Sequence, residues 1–155
     1  TGPVFIMTLR EKLEEDIKTS MRNKDQARLD GLRFFKNAVL AVEKEQKKGL
    51  DDAGVIDVAT KQASDRRDSI KAFEEGGRDV MAAKEAAELV VLEEFLPPQM
   101  STDQLTEIIK ATAAEVGATS IQDKGKLMGK LMPQVRGKSD GTVVNEMATA
   151  YLNSL

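Results

Sequence analysis

Apolar residues recur at intervals of three and four along almost the whole chain, and no stretch alternates convincingly between apolar and polar residues. This period of about 3.6 residues is typical of amphipathic helices rather than strands. Capping residues, glycines and prolines divide the pattern into seven segments. The sequence therefore predicts an all-α protein with these seven helices: from Thr8, about Asp25–Lys48, about Asp52–Gly76, Asp79–Leu96, from Ser101 to Gly117, Ser120 to Met132, and from Asp140.

A proline-rich segment, residues 97–101, is the strongest candidate for a domain boundary. Proline cannot donate a backbone hydrogen bond and restricts the residue before it, so two consecutive prolines end a helix. We expect two small helical bundles, a four-helix N-terminal domain over residues 7–96 and a three-helix C-terminal domain over residues 97–155.

The fourth predicted helix has apolar residues on two faces. One face carries Val80, Ala83, Ala87 and Val91, and the opposite face carries Leu89, Leu92 and Leu96. We therefore expect this helix to be covered on both sides and its C-terminal half to contact both domains. Phe34 falls outside the apolar arc of the second helix and is a candidate for contact with another surface.

The composition excludes several kinds of active site. The 155 residues include no Cys and no His, so no disulfide, no thiolate or imidazole metal site and no Ser-His-Asp system can form. We predict no catalytic residue, no metal and no cofactor.

No window approaches the roughly 18 apolar residues of a transmembrane helix, and we expect no membrane partner. Residues 1–6 lack the features of a secretory signal and are interpreted as an added or short extension before Met7. The expected location is cytoplasmic.

Positive charge is concentrated in one place. The net charge is −3, but five of the six basic residues after Pro97 lie between Lys124 and Lys138. This segment is a local basic patch of the kind that binds polyanions. Its basic members are Lys124, Lys126, Lys130, Arg136 and Lys138.

Two glycines accompany these cations. On a helical wheel Lys126 and Lys130 lie opposite the apolar face, and Gly125 and Gly129 lie on the flank between the lysine face and the apolar face. Glycine inside a helix costs about 1 kcal/mol relative to alanine, which suggests that something approaches the backbone. A neighbouring helix or a sugar–phosphate backbone would both fit, and a solvated face remains an alternative for the charges.

A second set of arginines comprises Arg66, Arg67 and Arg78. Arg66 falls on the apolar stripe of the third helix, and Arg67 at its edge. Such an arginine either pairs with a carboxylate, for which the glutamates of the fourth helix are candidates, or binds an anion.

Several motifs resemble those of the YqeY family, also called GatB/YqeY-like proteins. They are Leu9-Arg-Glu-Lys-Leu13, Arg66-Arg-Asp-Ser-Ile-Lys-Ala-Phe73 with Gly77-Arg78, Glu93-Glu-Phe-Leu-Pro97, Gly117-Ala-Thr-Ser120, and Gly125-Lys-Leu-Met-Gly-Lys-Leu-Met-Pro133 through Gly137. The last block is also similar to the tail of the tRNA-dependent amidotransferase B subunit.

The resemblance implies an all-helical fold and tRNA as a partner. Carried over by position, it implies RNA-binding roles for Lys126, Gly129, Lys130, Gly137 and Lys138. The tail tends to have Ala-Asn-Pro where this chain has Ser139-Asp140-Gly141, which brings an acidic residue into the basic turn. The catalytic modules of the amidotransferase have no counterpart in the chain.

Three functions are compatible with these observations. The first is a tRNA-binding helical module that is non-catalytic alone. The second, implied by the family, is an accessory component of a carbon–nitrogen ligase with glutamine as amido-N-donor, whose partners would be amidotransferase subunits. The third is a protein-interaction adaptor that uses Phe34 and the fourth helix. The oligomeric state is left open.

Overall fold

Residues 6–155 are described by the computed structural model, and among them every regular element is helical. This confirms the all-α class. The expectation for residues 1–6 lies, apart from Ile6, outside the described residues. The elements are α1 Leu9–Arg22, α2 Gln26–Gln46, α3 Asp52–Glu75, α4 Asp79–Glu93, α5 Thr102–Val116, a 3-10 turn Ile121–Asp123, α6 Lys124–Val135 and α7 Gly141–Asn153.

The expected N-terminal caps are confirmed. Thr8 accepts the backbone N–H of Glu11, whose carboxylate accepts the backbone N–H of Thr8. Ser101 and Gln104 form the same reciprocal box at the start of α5. These boxes satisfy backbone donors that have no partner inside the helix, which is why helix starts can be read from short motifs.

Three helix ends differ from the prediction. α2 ends at Gln46 rather than Lys48, because Lys47 adopts a left-handed conformation with φ 58°. α4 ends at Glu93 and passes into a turn in which Leu96 donates to the carbonyl of Glu93, since the residue before a proline is biased away from helical angles.

The third difference is in α6, which continues through Pro133 to Val135. Proline is tolerated here because it lies in the last turn, where its missing N–H removes only one helical bond, to the carbonyl of Gly129. The prediction that Pro133 ends the helix was wrong.

The chain divides into two compact units between Leu96 and Pro97. That these units are separate domains stays a prediction. In the first unit α1 to α4 enclose one core, in which the rings of Phe35 and Phe95 lie 5.1 Å apart. Its buried members include Leu13, Leu32, Phe35, Val39, Val55, Ala59, Ala63, Leu92 and Phe95.

α4 is covered on one side within this unit rather than on both. Val91 is buried, but Val80, Ala83 and Ala87 are exposed, and Val80 keeps 86% of its surface accessible. α4 packs its Ala82 and Leu92 side against α2 and α3, and alanines along the other side are small enough to face water at little cost.

The second unit packs α5, α6 and α7 around a separate core. α6 contributes Leu127, Leu131 and Val135, one residue per turn. Ile121 and Val143 are each more than 40% exposed, because each lies at the start of its element rather than on its packed middle turns.

Candidate nucleic-acid interface

The orientation of α6 is fixed by its buried stripe. Leu127 and Leu131 are fully buried, so the opposite side of the helix faces away from the core. Lys126 and Lys130 lie on that side, one turn apart, and both are exposed. The structure thus brings these two predicted cations together on one helix face.

The glycine flank of α6 is open. Within residues 6–155, a Cβ atom built on Gly125 or Gly129 would have no heavy atom within 4 Å outside the local helix backbone. Close helix packing therefore does not explain these two glycines. Gly31 differs, since its Cβ would lie 3.8 Å from Val91.

The flank extends to Pro133, which follows Gly129 by one turn. Gly125, Gly129 and Pro133 form a row along α6, with no side chain at the two glycines and a compact ring at Pro133, which we call the glycine row. On the helical wheel, half-buried Met128 and Met132 border this row on one side, and the two lysines border it on the other. The sequence prediction did not include Pro133 in this row, although Pro133 follows Gly129 at the same four-residue spacing.

Carboxylates moderate the positive charge at this face. Asp123, before α6, accepts backbone N–H groups from Thr119 at 2.8 Å and Ser120 at 3.4 Å. These bonds, and to a smaller extent the positive charge of Lys126, lower the pKa of Asp123. Lys130 Nζ lies 3.4 Å from Glu115 Oε1, but both side chains are more than half exposed. Such a pair contributes about 0–1 kcal/mol and is readily exchanged.

The remaining predicted RNA contacts occupy other positions. Lys124 is half-buried at the first residue of α6, and Arg136 is exposed just after its last. Since a helix rises 1.5 Å per residue, Lys126 and Arg136 are separated by about 15 Å along the axis.

Gly137 and Lys138 belong to a turn with a structural task. Gly137 is buried with φ +77°, a conformation that favours glycine, and its carbonyl accepts a 2.8 Å bond from Gln99 Nε2. The Lys138 carbonyl accepts the backbone N–H of Met100 at 2.8 Å. Lys138 lines a separate groove, to which neither Lys126 nor Lys130 contributes.

Among the second set of arginines, Arg66 is an ion-pair residue. Its Nη1 donates to Glu85 Oε2 at 2.9 Å, and its Nε lies 3.2 Å from Glu88 Oε2, without hydrogen-bond geometry. Its guanidinium also lies 4.3 Å from the ring centroid of Phe34, which is half exposed. The structure therefore supports the ion-pair alternative for this arginine.

The other two arginines of that set are placed differently. Arg67 is half-buried on α3 and is not without a partner. Arg78 is exposed before α4, where its backbone N–H donates to the carbonyl of Phe73 at 2.7 Å.

Within residues 6–155 no group of three acidic side chains is arranged to hold a metal ion. No helix in the same range is long and apolar enough to cross a membrane. What α6 does present is an exposed backbone strip beside two ammonium groups, which suits contact with a polyanion.

Comparison with known proteins places this fold in a family. The model of Yqey-like proteins matches residues 10–152, almost the whole chain. The chain belongs to the YqeY family. This confirms the resemblance drawn from the motifs.

Curated relatives of this YqeY-family chain are fungal proteins named altered inheritance of mitochondria protein 41, mitochondrial. The Kluyveromyces lactis protein is 31% identical over 147 residues, covering 90% of this chain and 80% of the relative. A Saccharomyces cerevisiae protein is 27% identical, covering 92% and 78%. The Pyrenophora tritici-repentis protein is 25% identical, covering 83% and 71%.

Proposed function

We propose that this chain is a tRNA-binding module, non-catalytic on its own, whose RNA-contacting domain is residues 97–155 and whose second domain is residues 7–96. The observation that carries the proposal is the open glycine row beside Lys126 and Lys130. Helix interiors normally avoid glycine, and within residues 6–155 no packing contact requires it.

The geometry suits phosphate contacts rather than base reading. A glycine row lets a sugar–phosphate backbone approach the helix, while lysines supply charge without the bidentate geometry that recognises a base edge. No aromatic side chain lies between residues 124 and 138 to stack on bases. The RNA is then selected by its shape, and the family resemblance indicates tRNA as that RNA.

The test is tRNA binding by the full chain across a salt series from 50 to 300 mM. Each phosphate neutralised contributes about 0.7–0.9 to the slope of log K against log salt. Lys126→Ala with Lys130→Ala should therefore reduce the slope by about 1.5 and weaken binding at every salt concentration.

Lys44→Ala with Lys48→Ala is the matched control, because it removes two exposed lysines four residues apart in the other unit. Absence of binding at 50 mM salt, or an equal loss in both double variants, would refute the proposal. A tRNA should also bind better than an unstructured RNA of equal length. Equal binding of the two RNAs would still agree with phosphate contact, but it would reject the selection of tRNA by its shape.

An accessory role in amide transfer with glutamine as nitrogen donor stays a second proposal, based on the family resemblance. It requires amidotransferase subunits as partners. Co-purification of such subunits with the native chain, together with amide formation that depends on adding this chain, would support it. Full amide transfer by the other subunits without this chain would reject it.

The proposed location is a compartment that contains tRNA. The cytoplasm and the mitochondrion both do, and the relatives carry mitochondrial names. Fluorescence microscopy of the tagged chain in its own cells would distinguish these compartments.

A further inference from the structure

An apolar groove lies along α5 in the second unit. Pro98, Met100 and Ile108 supply its apolar surface, and its volume is about 670 Å³. All the residues that line it belong to residues 97–155, and none of them is on α6. The groove is therefore a different surface from the glycine row.

The walls of this groove are fixed by hydrogen bonds. Gln99 Nε2 donates to the carbonyls of Pro97 at 2.9 Å and Gly137 at 2.8 Å. The backbone N–H of Met100 donates to the carbonyl of Lys138 at 2.8 Å. These bonds join the segment before α5 to the turn after α6, so the groove is formed before a partner arrives. A preformed surface binds at a lower cost in ordering.

Charges are arranged along the edges. Asp103 and Glu107 lie one turn apart on α5, and both are exposed. Lys138 also lines the groove. None of these three side chains forms an ion pair within residues 6–155. Their charges are available to a partner, with two carboxylates following one another along α5.

The geometry points to this groove as the docking site of an amphipathic helix from a partner protein, with two basic residues one turn apart. Apolar residues of that helix would cover Met100 and Ile108, and its basic residues would pair with Asp103 and Glu107. Residues four apart on a helix have Cβ atoms about 5–6 Å apart, so the two rows of charge have the same spacing. RNA does not fit here, because the α5 carboxylates repel phosphates.

The probe is a 14-residue helical peptide of leucine and lysine, compared with a peptide in which glutamate replaces every lysine. Binding to the full chain is followed by the methyl NMR signals of Met100 and Ile108. We expect the Leu–Lys peptide to shift both signals and to bind at least tenfold more tightly than the Leu–Glu peptide.

Charge reversal provides the decisive comparison. Asp103→Lys with Glu107→Lys should invert the preference between the two peptides. Asp68→Lys with Glu75→Lys is the matched control, since it changes the net charge equally at exposed positions on α3 and should leave the preference unchanged.

Asp103→Asn with Glu107→Gln guards against a folding defect, because it removes the charges without placing cations at the start of α5. It should reduce Leu–Lys binding about tenfold and leave a cooperative thermal transition. Lys126→Ala with Lys130→Ala should not change peptide binding, which separates this proposal from RNA binding.

Three results would overturn the proposal. They are unshifted Met100 and Ile108 signals, a preference of the unaltered chain for the Leu–Glu peptide, and equal Leu–Lys affinity in the Asn and Gln double variant.

Discussion

Replacing Gly129 with alanine should stabilise the protein while weakening RNA binding. Gly129 lies in the interior of α6 and is exposed, and in the described part of the chain an added Cβ would have no heavy atom within 4 Å outside the local helix backbone. The substitution therefore gains the helix propensity of alanine, about 1 kcal/mol, without a steric cost. Gly125→Ala should gain less, because Gly125 is only the second residue of the helix.

The size of the effect can be measured. For a domain of this size a gain of 1 kcal/mol raises Tm by about 4–8 °C, if the second unit unfolds as one domain. The added methyl would hold a phosphate backbone away from the glycine row. We expect affinity for tRNA to fall about tenfold, which corresponds to about 1.4 kcal/mol.

Circular dichroism melting of the full chain and tRNA binding at one salt concentration form the assay. Gly141→Ala is the control, since Gly141 also has open space around its added Cβ but begins α7. A lower Tm for Gly129→Ala would mean that the row is not open. A higher Tm with unchanged affinity for tRNA would show that RNA does not contact it.

Three further substitutions test the first unit. Lys47→Gly should raise the free energy of unfolding in urea by about 1 kcal/mol, because Lys47 holds a left-handed φ of 58° that glycine adopts freely. An unchanged free energy of unfolding would show that Lys47 is not strained. Arg66→Met should lower the free energy of unfolding in the same assay by about 3 kcal/mol, because it leaves two glutamates of α4 unpaired. Replacing both glutamates with glutamine in the Arg66→Met variant should restore the stability. Hydrogen bonds from Arg10 and Lys36 lower the pKa of Glu14 below its ordinary 4.5, so Glu14→Gln should lower the free energy of unfolding at pH 7. This loss of stability relative to the unaltered chain should fade as pH drops below about 4.5, where Glu14 becomes protonated. A loss that persists at pH 2 would contradict this reasoning.

The parts of the fold that could be predicted are those decided locally. Thr8 and Ser101 begin their helices because their hydroxyls accept nearby backbone donors, which a four-residue motif reveals. Helix ends were less predictable. Lys47 takes a conformation that glycine prefers, and Pro133 is accommodated in a last turn, so residue type alone does not mark either helix end.

The candidate site could be predicted only in part for a related reason. Spacing places Lys126, Lys130 and the two glycines on adjacent strips of α6, but spacing does not say what lies beside a strip. Among the described residues, no heavy atom beyond the local helix backbone lies within 4 Å of a Cβ built on either glycine. The groove along α5 was missed because Gln99 and Gly137, which close it, are 38 residues apart in sequence.

Gly137 tests whether the candidate glycines have different roles. Gly137 is buried, holds φ +77° and offers its carbonyl to Gln99, so Gly137→Ala should strain the turn by about 1–2 kcal/mol and loosen the groove. If Gly137→Ala lowers the affinity for RNA, it should also lower Tm and the affinity for the Leu–Lys peptide. Gly129→Ala should instead lower RNA affinity while Tm rises. A Gly137→Ala protein with normal Tm, normal peptide binding and weakened RNA binding would overturn the structural role and make Gly137 a direct contact.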